Sequence, residues 1–428
     1  MILNVEFLKK KEHFELRCFS CQQKYNIDEY GKFYYCAKCG SLLEIHRVSN
    51  YSSGTGKKRH GVWRYIDLIP VWDEKNIVSL SEGWTNLVEC RNVARILGLR
   101  SLYVKFEGLN PTGSFKDRGM TVGVSKAVEQ GYKSTMCAST GNTSASLAAY
   151  SSRAAIRCIV LIPKGKIALG KIAQAIAYGA EIFQVEGNFD DALKIAGEIC
   201  ERDNRILLLN SLNPFRIEGQ KTVAFEIVEQ LGRVPEYVVL PVGNGGNISA
   251  AWKGFNELLE DGVDIIGAHA SKMLPKMMAV QAEGSAPIAR AFKAGKRDSI
   301  DPVMDPHTEA SAINIGSPVS WMKAMSAIYD SGGRADYVSD EEIFVAQKLL
   351  ASKEGLFVEP ASAAPIAYLT KLARAGKSDE YDGVKNSTVV SICTGNGLKD
   401  PNALMKGIAP DQLKTISADA RSLQEILA

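Results

Sequence analysis

After residue 60, short runs of β-branched and apolar positions alternate with longer segments whose apolar positions recur every three or four residues. The runs SLYVKF (101–106), STMCA (134–138), RCIVLI (157–162), EIFQV (181–185), RILLLN (205–210), EYVVLPV (236–242) and STVVSIC (387–393) predict buried strands. Between them GKIAQAIAYGA (170–180), NFDDALKIAGEIC (188–200) and GQKTVAFEIVEQLG (219–232) carry helical periodicity. Strands alternating with helices in this way predict an α/β fold, a parallel sheet covered by helices on both faces. Ligands of such sheets bind beyond the carboxyl ends of the strands, so the loops there are where chemistry is to be sought.

The first 46 residues break this pattern. They form a short unit rich in aromatic residues and cysteine, followed at 47–60 by a Ser-, Gly- and Lys/Arg-rich stretch that predicts a linker. The main body is then expected at 61–415, with a C-terminal tail at 416–428. Composition adds mainly exclusions. The 428 residues are 46% hydrophobic and 23% charged, as in an ordinary globular protein. Lys plus Arg (51) nearly balance Asp plus Glu (48), which argues against a polyanion-binding surface. Apolar runs fall well short of the roughly 20 residues of a spanning helix, and the first residues lack the apolar core of a signal peptide. A soluble cytoplasmic protein is expected.

Four strand-end loops stand out: KFEGLNPTGSFKDRG, ASTGNTSAS, PVGNGGNISA and CTGNGLKDP. Gly, Asn and Thr at such turns expose backbone N–H groups and short polar side chains to a ligand. GNGGN (243–247) before a helix suits a phosphate, although a tight turn with no ligand has the same composition. It is not a dinucleotide fingerprint, because Ile248 replaces the third glycine and no acid follows about 20 residues on. Nor is it a Walker loop, since no Gly-Lys-Ser/Thr follows. Lys116 opens a predicted helix, where a cation is disfavoured. Either it is a solvated charge or it reacts. Beside a phosphate loop, a lysine suits a phosphorylated aldehyde held as a Schiff base, provided that burial, the helix N-terminus or Arg118 lowers its pKa.

Taken together, NPTGSFKDRGM, ASTGNTSASLAAY, NSLNPFRIEGQKT, LPVGNGGNISAAWKG, IGSPVSW, EPASAA and CTGNGLKDP closely resemble the threonine synthases. These are pyridoxal-phosphate enzymes of the tryptophan-synthase β-subunit-like family (fold type II), and the likeness runs from about Gly61 to Pro401. The resemblance implies two doubly wound α/β subdomains with the cofactor, pyridoxal 5'-phosphate, in the cleft between them. It implies that Lys116 binds the cofactor and moves protons, and that Gly243, Asn244, Gly245, Gly246 and Asn247 hold its phosphate. Asn142 would bond its phenolic oxygen and Thr394 would face its ring nitrogen. Ser139, Thr140, Gly141 and Thr143 would take the substrate's carboxylate or phosphate. Arg216, with Asn210, Ser211 and Thr143, would hold the phosphate of O-phospho-L-homoserine, which leaves as water adds to give L-threonine. Asn314 stands where that family more usually carries a basic residue. A homodimer is expected. Cysteate synthase and threonine dehydratase are the alternatives within the larger family.

Nine cysteines divide into five single ones and two pairs. Cys18-x2-Cys21 and Cys36-x2-Cys39 have zinc-ribbon spacing and predict a small N-terminal extension holding a structural Zn2+. His13 and His46 flank it as bystanders, and His269 and His307 have no evident partners. A ribbon could also make the chain a nucleic-acid-binding protein on a dead enzyme scaffold, but the near-neutral charge and Lys116 argue against that.

Overall fold

The computed structural model describes residues 10–27, 34–49, 59–165, 169–260, 273–376, 378–401, 418 and 424. His269, most of the expected linker and nearly all of the expected C-terminal tail lie outside the described residues. In chain order the strands are β1 (Phe14–Cys18), β2 (Lys24–Tyr25), β3 (Leu43–Arg47), β4 (Leu87–Glu89), β5 (Ser101–Phe106), β6 (Ser134–Ala138) and β7 (Arg157–Pro163). They continue with β8 (Glu181–Val185), β9 (Ile206–Leu208), β10 (Tyr237–Pro241), β11 (Lys276–Ala282), β12 (Arg334–Val338) and β13 (Thr388–Cys393).

The alternating strands and helices form two separate sheets, in keeping with the two α/β subdomains expected. The order β12-β11-β10-β13-β5-β4 makes a six-stranded sheet, parallel except where β4 runs antiparallel to β5. The order β8-β7-β6-β9 makes a four-stranded, fully parallel sheet. β6, β7 and β13 are buried along nearly their whole length, as their continuous apolar runs require. EIFQV is a correction: β8 is the outer strand of its sheet and largely exposed, with Phe183 open to solvent. The predicted helix 219–232 divides at Lys221 into Pro214–Gln220 and Thr222–Leu231.

The N-terminal unit is a three-stranded antiparallel sheet, β2-β1-β3. Phe14, Leu16, Ile27, Tyr34, Leu43 and Ile45 are buried, and they belong to the same apolar core as Trp63, Met120 and Phe215 of the main body. A unit this small has too little interior to be stable alone, and docking supplies the missing burial. Elsewhere the five single cysteines are all buried, as small apolar residues usually are.

Candidate functional site

The loop before Lys116 is folded by its own polar side chains. Asp117 accepts from the Thr112 N–H at 2.7 Å and from its hydroxyl at 2.6 Å, which ties the turn back onto the helix Lys116–Glu129. Ser146 donates to the same carboxylate at 2.5 Å. The turn is then attached to the six-stranded sheet: Ser114 bridges to Gly395, and Phe115 N–H donates to Thr394 O at 2.9 Å. Lys116 therefore begins a helix that packs in the layer of the four-stranded sheet while its N-terminus is anchored at the end of β13. It stands where the elements of the two sheets meet.

Lys116 is half-buried, with its amine 4.2 Å from the centre of the Phe115 ring. Burial, then the nearby Arg216 guanidinium, lower its pKa to about 7, with Glu359 acting in the opposite direction. An amine near pH 7 is neutral often enough to attack a carbonyl. Arg118, the expected helper, does not contribute. It is buried against Glu107 at 2.6 Å and Glu226 at 2.5 Å and serves as a structural cation.

Arg216 sits in the helix Pro214–Gln220, whose start is set by Asn213 accepting from Phe215 N–H at 3.0 Å and by Pro214. Its stem crosses two glycines of the lysine helix. A Cβ at Gly119 would lie 3.2 Å from Arg216 Cβ, and one at Gly123 would lie 3.5 Å from Arg216 Cγ. Residues 116, 119 and 123 share one helix face, so the notch that admits Arg216 is cut beside Lys116. Arg216 is 1% exposed and donates to Leu209 O at 3.3 Å.

The loop Gly243–Asn247 follows β10 and opens the helix Gly246–Glu260. Gly245 adopts φ +84, and a Cβ there would meet Ser320 O at 2.9 Å, so only glycine is comfortable. Asn244 accepts from Val319 N–H at 3.2 Å, and its carbonyl accepts from Ser320 N–H at 3.0 Å. Asn247 Nδ2 is buried without a hydrogen-bond partner. A buried amide donor at a helix N-terminus, in a loop stripped of side chains, fits a phosphate. Next to it, Asn314 Oδ1 is also buried without a partner, and the flanking Ile313 and Ile315 pack on Gly243.

The other expected residues gather around the same cleft. Ser139, Thr140, Gly141, Asn142 and Thr143 are all half-buried between β6 and the helix Asn142–Arg153. Thr394, buried just past β13, has its hydroxyl 3.0 Å from Ser362 Oγ. Ser211 is half-buried after β9. Two of these residues have protein partners of their own. Asn142 donates to both oxygens of the Glu359 carboxylate, at 3.1 and 3.0 Å. Asn210 exchanges hydrogen bonds of 2.9 Å with Ala138 N–H and Ala138 O, clamping the ends of β6 and β9 together. Its amide is occupied in holding the scaffold.

Sequence reasoning missed Glu359 and Ser362, although both lie in the EPASAA segment. Glu359 is buried, and desolvation raises its pKa despite the Asn142 hydrogen bonds. A carboxylate ahead of a predicted helix reads as a surface N-terminal acid, so nothing in the pattern marked it as the neighbour of Asn142 and Lys116.

Cys18, Cys21, Cys36 and Cys39 converge, all four sulfurs lying within 4.8 Å of one another. Cys18 to Cys39 is 3.4 Å and Cys21 to Cys36 is 3.5 Å. Each pair ends in a left-handed residue, Gln22 (φ 57) and Gly40 (φ 71), which turns the chain back around the sulfurs. The Tyr25 hydroxyl donates to Cys36 Sγ at 3.0 Å. His46 pairs with Glu44 at 2.6 Å, and His13 lies 2.5 Å from Ser49 Oγ, so neither belongs to the cluster. His307 Nδ1 lies 3.3 Å from Asp305 O.

Comparison with known proteins agrees with this geometry. The family described as "Pyridoxal-phosphate dependent enzyme" matches residues 78–395. A threonine synthase of Methanocaldococcus jannaschii is 52% identical over 420 residues, 96% of this chain and 98% of that one. One from Mycobacterium tuberculosis is 50% identical over 342 residues, 80% of this chain and 89% of that one. Among solved structures, a threonine deaminase of Solanum lycopersicum shares the fold with a TM-score of 0.63 at 22% identity, over 84% of this chain and 94% of that one. Maize serine racemase does so with a TM-score of 0.62 at 20% identity, over 76% and 91%.

Proposed function

Because the chain belongs to the threonine synthases, within the pyridoxal-phosphate-dependent enzymes of fold type II, we propose that its cleft turns O-phospho-L-homoserine and water into L-threonine and phosphate. The observation that carries this reading is Arg216, a buried guanidinium within electrostatic reach of Lys116 and on a different element from the glycine loop. A cofactor phosphate needs one set of donors and a substrate phosphate needs another.

The cofactor's phosphate would rest on Gly243 to Asn247, where the free Asn247 amide donor awaits an acceptor. Pyridoxal phosphate, when bound, supplies an electron sink for negative charge at the substrate carbons. Lys116, with its lowered pKa, gives a neutral amine to take the cofactor and then to carry protons at the substrate's Cα and Cβ. Thr394, oriented by Ser362, offers a neutral hydroxyl to the ring nitrogen. Asn142 turns its amide from Glu359 towards the phenolic oxygen. Ser139 to Thr143 surround the substrate carboxylate at a helix N-terminus. Arg216, with Ser211 and Thr143, holds the substrate phosphate and keeps it in place as it leaves, since a planar fork matches phosphate oxygens.

A structural zinc ion completes the proposal. Tetrahedral zinc with Zn–S near 2.3 Å sets sulfur–sulfur edges of ~3.8 Å, close to the 3.4 and 3.5 Å already present. The working form is a cytoplasmic homodimer. No helix among the described residues is long and apolar enough to cross a membrane.

Phosphate release from O-phospho-L-homoserine, with threonine identified as the co-product, tests the assignment. O-phosphoserine with sulfite, and threonine alone, are the controls. Turnover of either control in preference to O-phospho-L-homoserine would replace this reading with cysteate synthase or threonine dehydratase.

A further inference from the structure

β3 of the N-terminal sheet is tied by buried charges to three helices that border the cleft. Lys323, in the helix Trp321–Asp330, lies 3.2 Å from the Glu44 carboxylate and donates to Leu43 O at 3.2 Å. Lys253, in Gly246–Glu260, donates to Ile45 O and pairs with Glu218 of Pro214–Gln220. Glu218 also pairs with Lys221 at 2.5 Å, and Lys221 with Glu257 at 2.8 Å. His46 Nε2 adds a further contact to Glu44 at 2.6 Å. These charges form two groups, Glu44 with Lys323, and Lys253 and Lys221 with Glu218 and Glu257, joined through the β3 backbone at Leu43 and Ile45.

Each of these helices reaches the candidate site near its own start. Pro214–Gln220 carries Arg216, two residues from Glu218 and so on a different side of the helix. Gly246–Glu260 begins with Gly246 and Asn247. Trp321–Asp330 follows Ser320, whose backbone holds Asn244 and crowds Gly245. The same helices therefore face phosphate-binding groups at one point and β3 at another. A buried ion pair contributes little net stability compared with apolar packing, whereas it fixes geometry, because each charge must find its partner.

We propose that β3 is a positioning brace for both phosphate sites, with Glu44 as the positioning residue that fixes β3 to the helix Trp321–Asp330 while the adjacent Ile45 carbonyl holds Lys253, and through it Glu218, so that the helices bearing Asn247 and Arg216 stay in register. This inference rests on the phosphate assignments proposed above. Glu44 touches no reacting group, so its effect passes through Lys323 by contact and through the placement of β3 to Lys253 and Glu218.

The test is Glu44→Gln in the full-length holoenzyme. It keeps the side chain's shape and removes its charge. The brace predicts a KM for O-phospho-L-homoserine raised roughly tenfold with kcat within about twofold. It predicts inorganic phosphate binding weakened by a similar factor, faster cofactor dissociation, and faster amide exchange in 214–220 and 246–250. Glu44→Asp, which keeps the charge, should recover most of each effect. If Glu44→Gln does not fold, Lys323→Gln takes the same assays. A folded variant with unchanged KM, phosphate affinity, cofactor dissociation and amide exchange overturns the proposal, as does a fall in kcat with KM unmoved. The phosphate, cofactor and exchange measurements need no turnover, so a wild-type enzyme inactive on O-phospho-L-homoserine would defeat the functional assignment while still testing the brace.

Discussion

Lys116 and Arg216 act on each other through charge, and that coupling has a sign that can be measured. Burial and the guanidinium lower the amine's pKa to about 7. Below that pH the amine is protonated and cannot attack, so capture of pyridoxal phosphate by the cofactor-free protein should accelerate as pH rises through about 7. Arg216→Gln removes the positive neighbour and leaves the burial. Its capture profile should move to higher pH, and a profile that stays in place would show that burial alone sets the pKa. The lysine was singled out as a candidate from FKDRG and the accompanying glycine loops. Its electrostatic partner was not. Arg118 is nearer in sequence, but Glu107 and Glu226 neutralise it, and only the fold brings position 216 beside position 116.

Elements were legible where burial is complete on both faces. STMCA and STVVSIC are strands as predicted, because a continuous β-branched run matches a central parallel strand. KMMAVQA gave no such signal: Met, Ala and Gln favour helix, yet β11 is held between β10 and β12. RADYV is polar because β12 lies at the edge of its sheet. The glycine notch between helices was equally hidden, since glycine inside a helix ordinarily reads as a weakness. Here it is a contact surface. A Cβ at Gly219 would lie 1.8 Å from Arg118 O, backbone against backbone, so the helices of Arg216 and Lys116 would have to separate. Gly219→Ala should therefore lower the melting temperature by roughly 1–3 degrees, the response expected in a chain of this length for about 1–3 kcal/mol lost to overpacking. Cofactor and substrate-phosphate affinity should fall together. A variant with wild-type melting temperature would mean that the two helices can move apart without loss.

At the scale of the whole molecule, two sheets carry the candidate residues and a docked N-terminal unit shares the core of one of them. The cysteine pairs and the α/β alternation were legible in the sequence, whereas the surface on which the small extension docks was not. Leu43 and Ile45 join the core of the main body. Metal analysis should find one zinc per chain, and chelation or Cys36→Ser should increase proteolysis within residues 10–49 while the main body stays folded. Protein purified without chelators and lacking zinc would mean that docking alone holds the unit. The central claim is that the cleft keeps two phosphates apart, one on Gly243–Asn247 and one on Arg216. The most direct measurement is kcat/KM for O-phospho-L-homoserine in Arg216→Ala, set beside cofactor affinity in the same protein. Loss of a charge-assisted contact worth ~3 kcal/mol predicts a fall of roughly two orders of magnitude in kcat/KM, with cofactor affinity within about threefold of wild type at a pH well above 7. Wild-type kcat/KM, or a loss of cofactor as large as the loss of turnover, would contradict it.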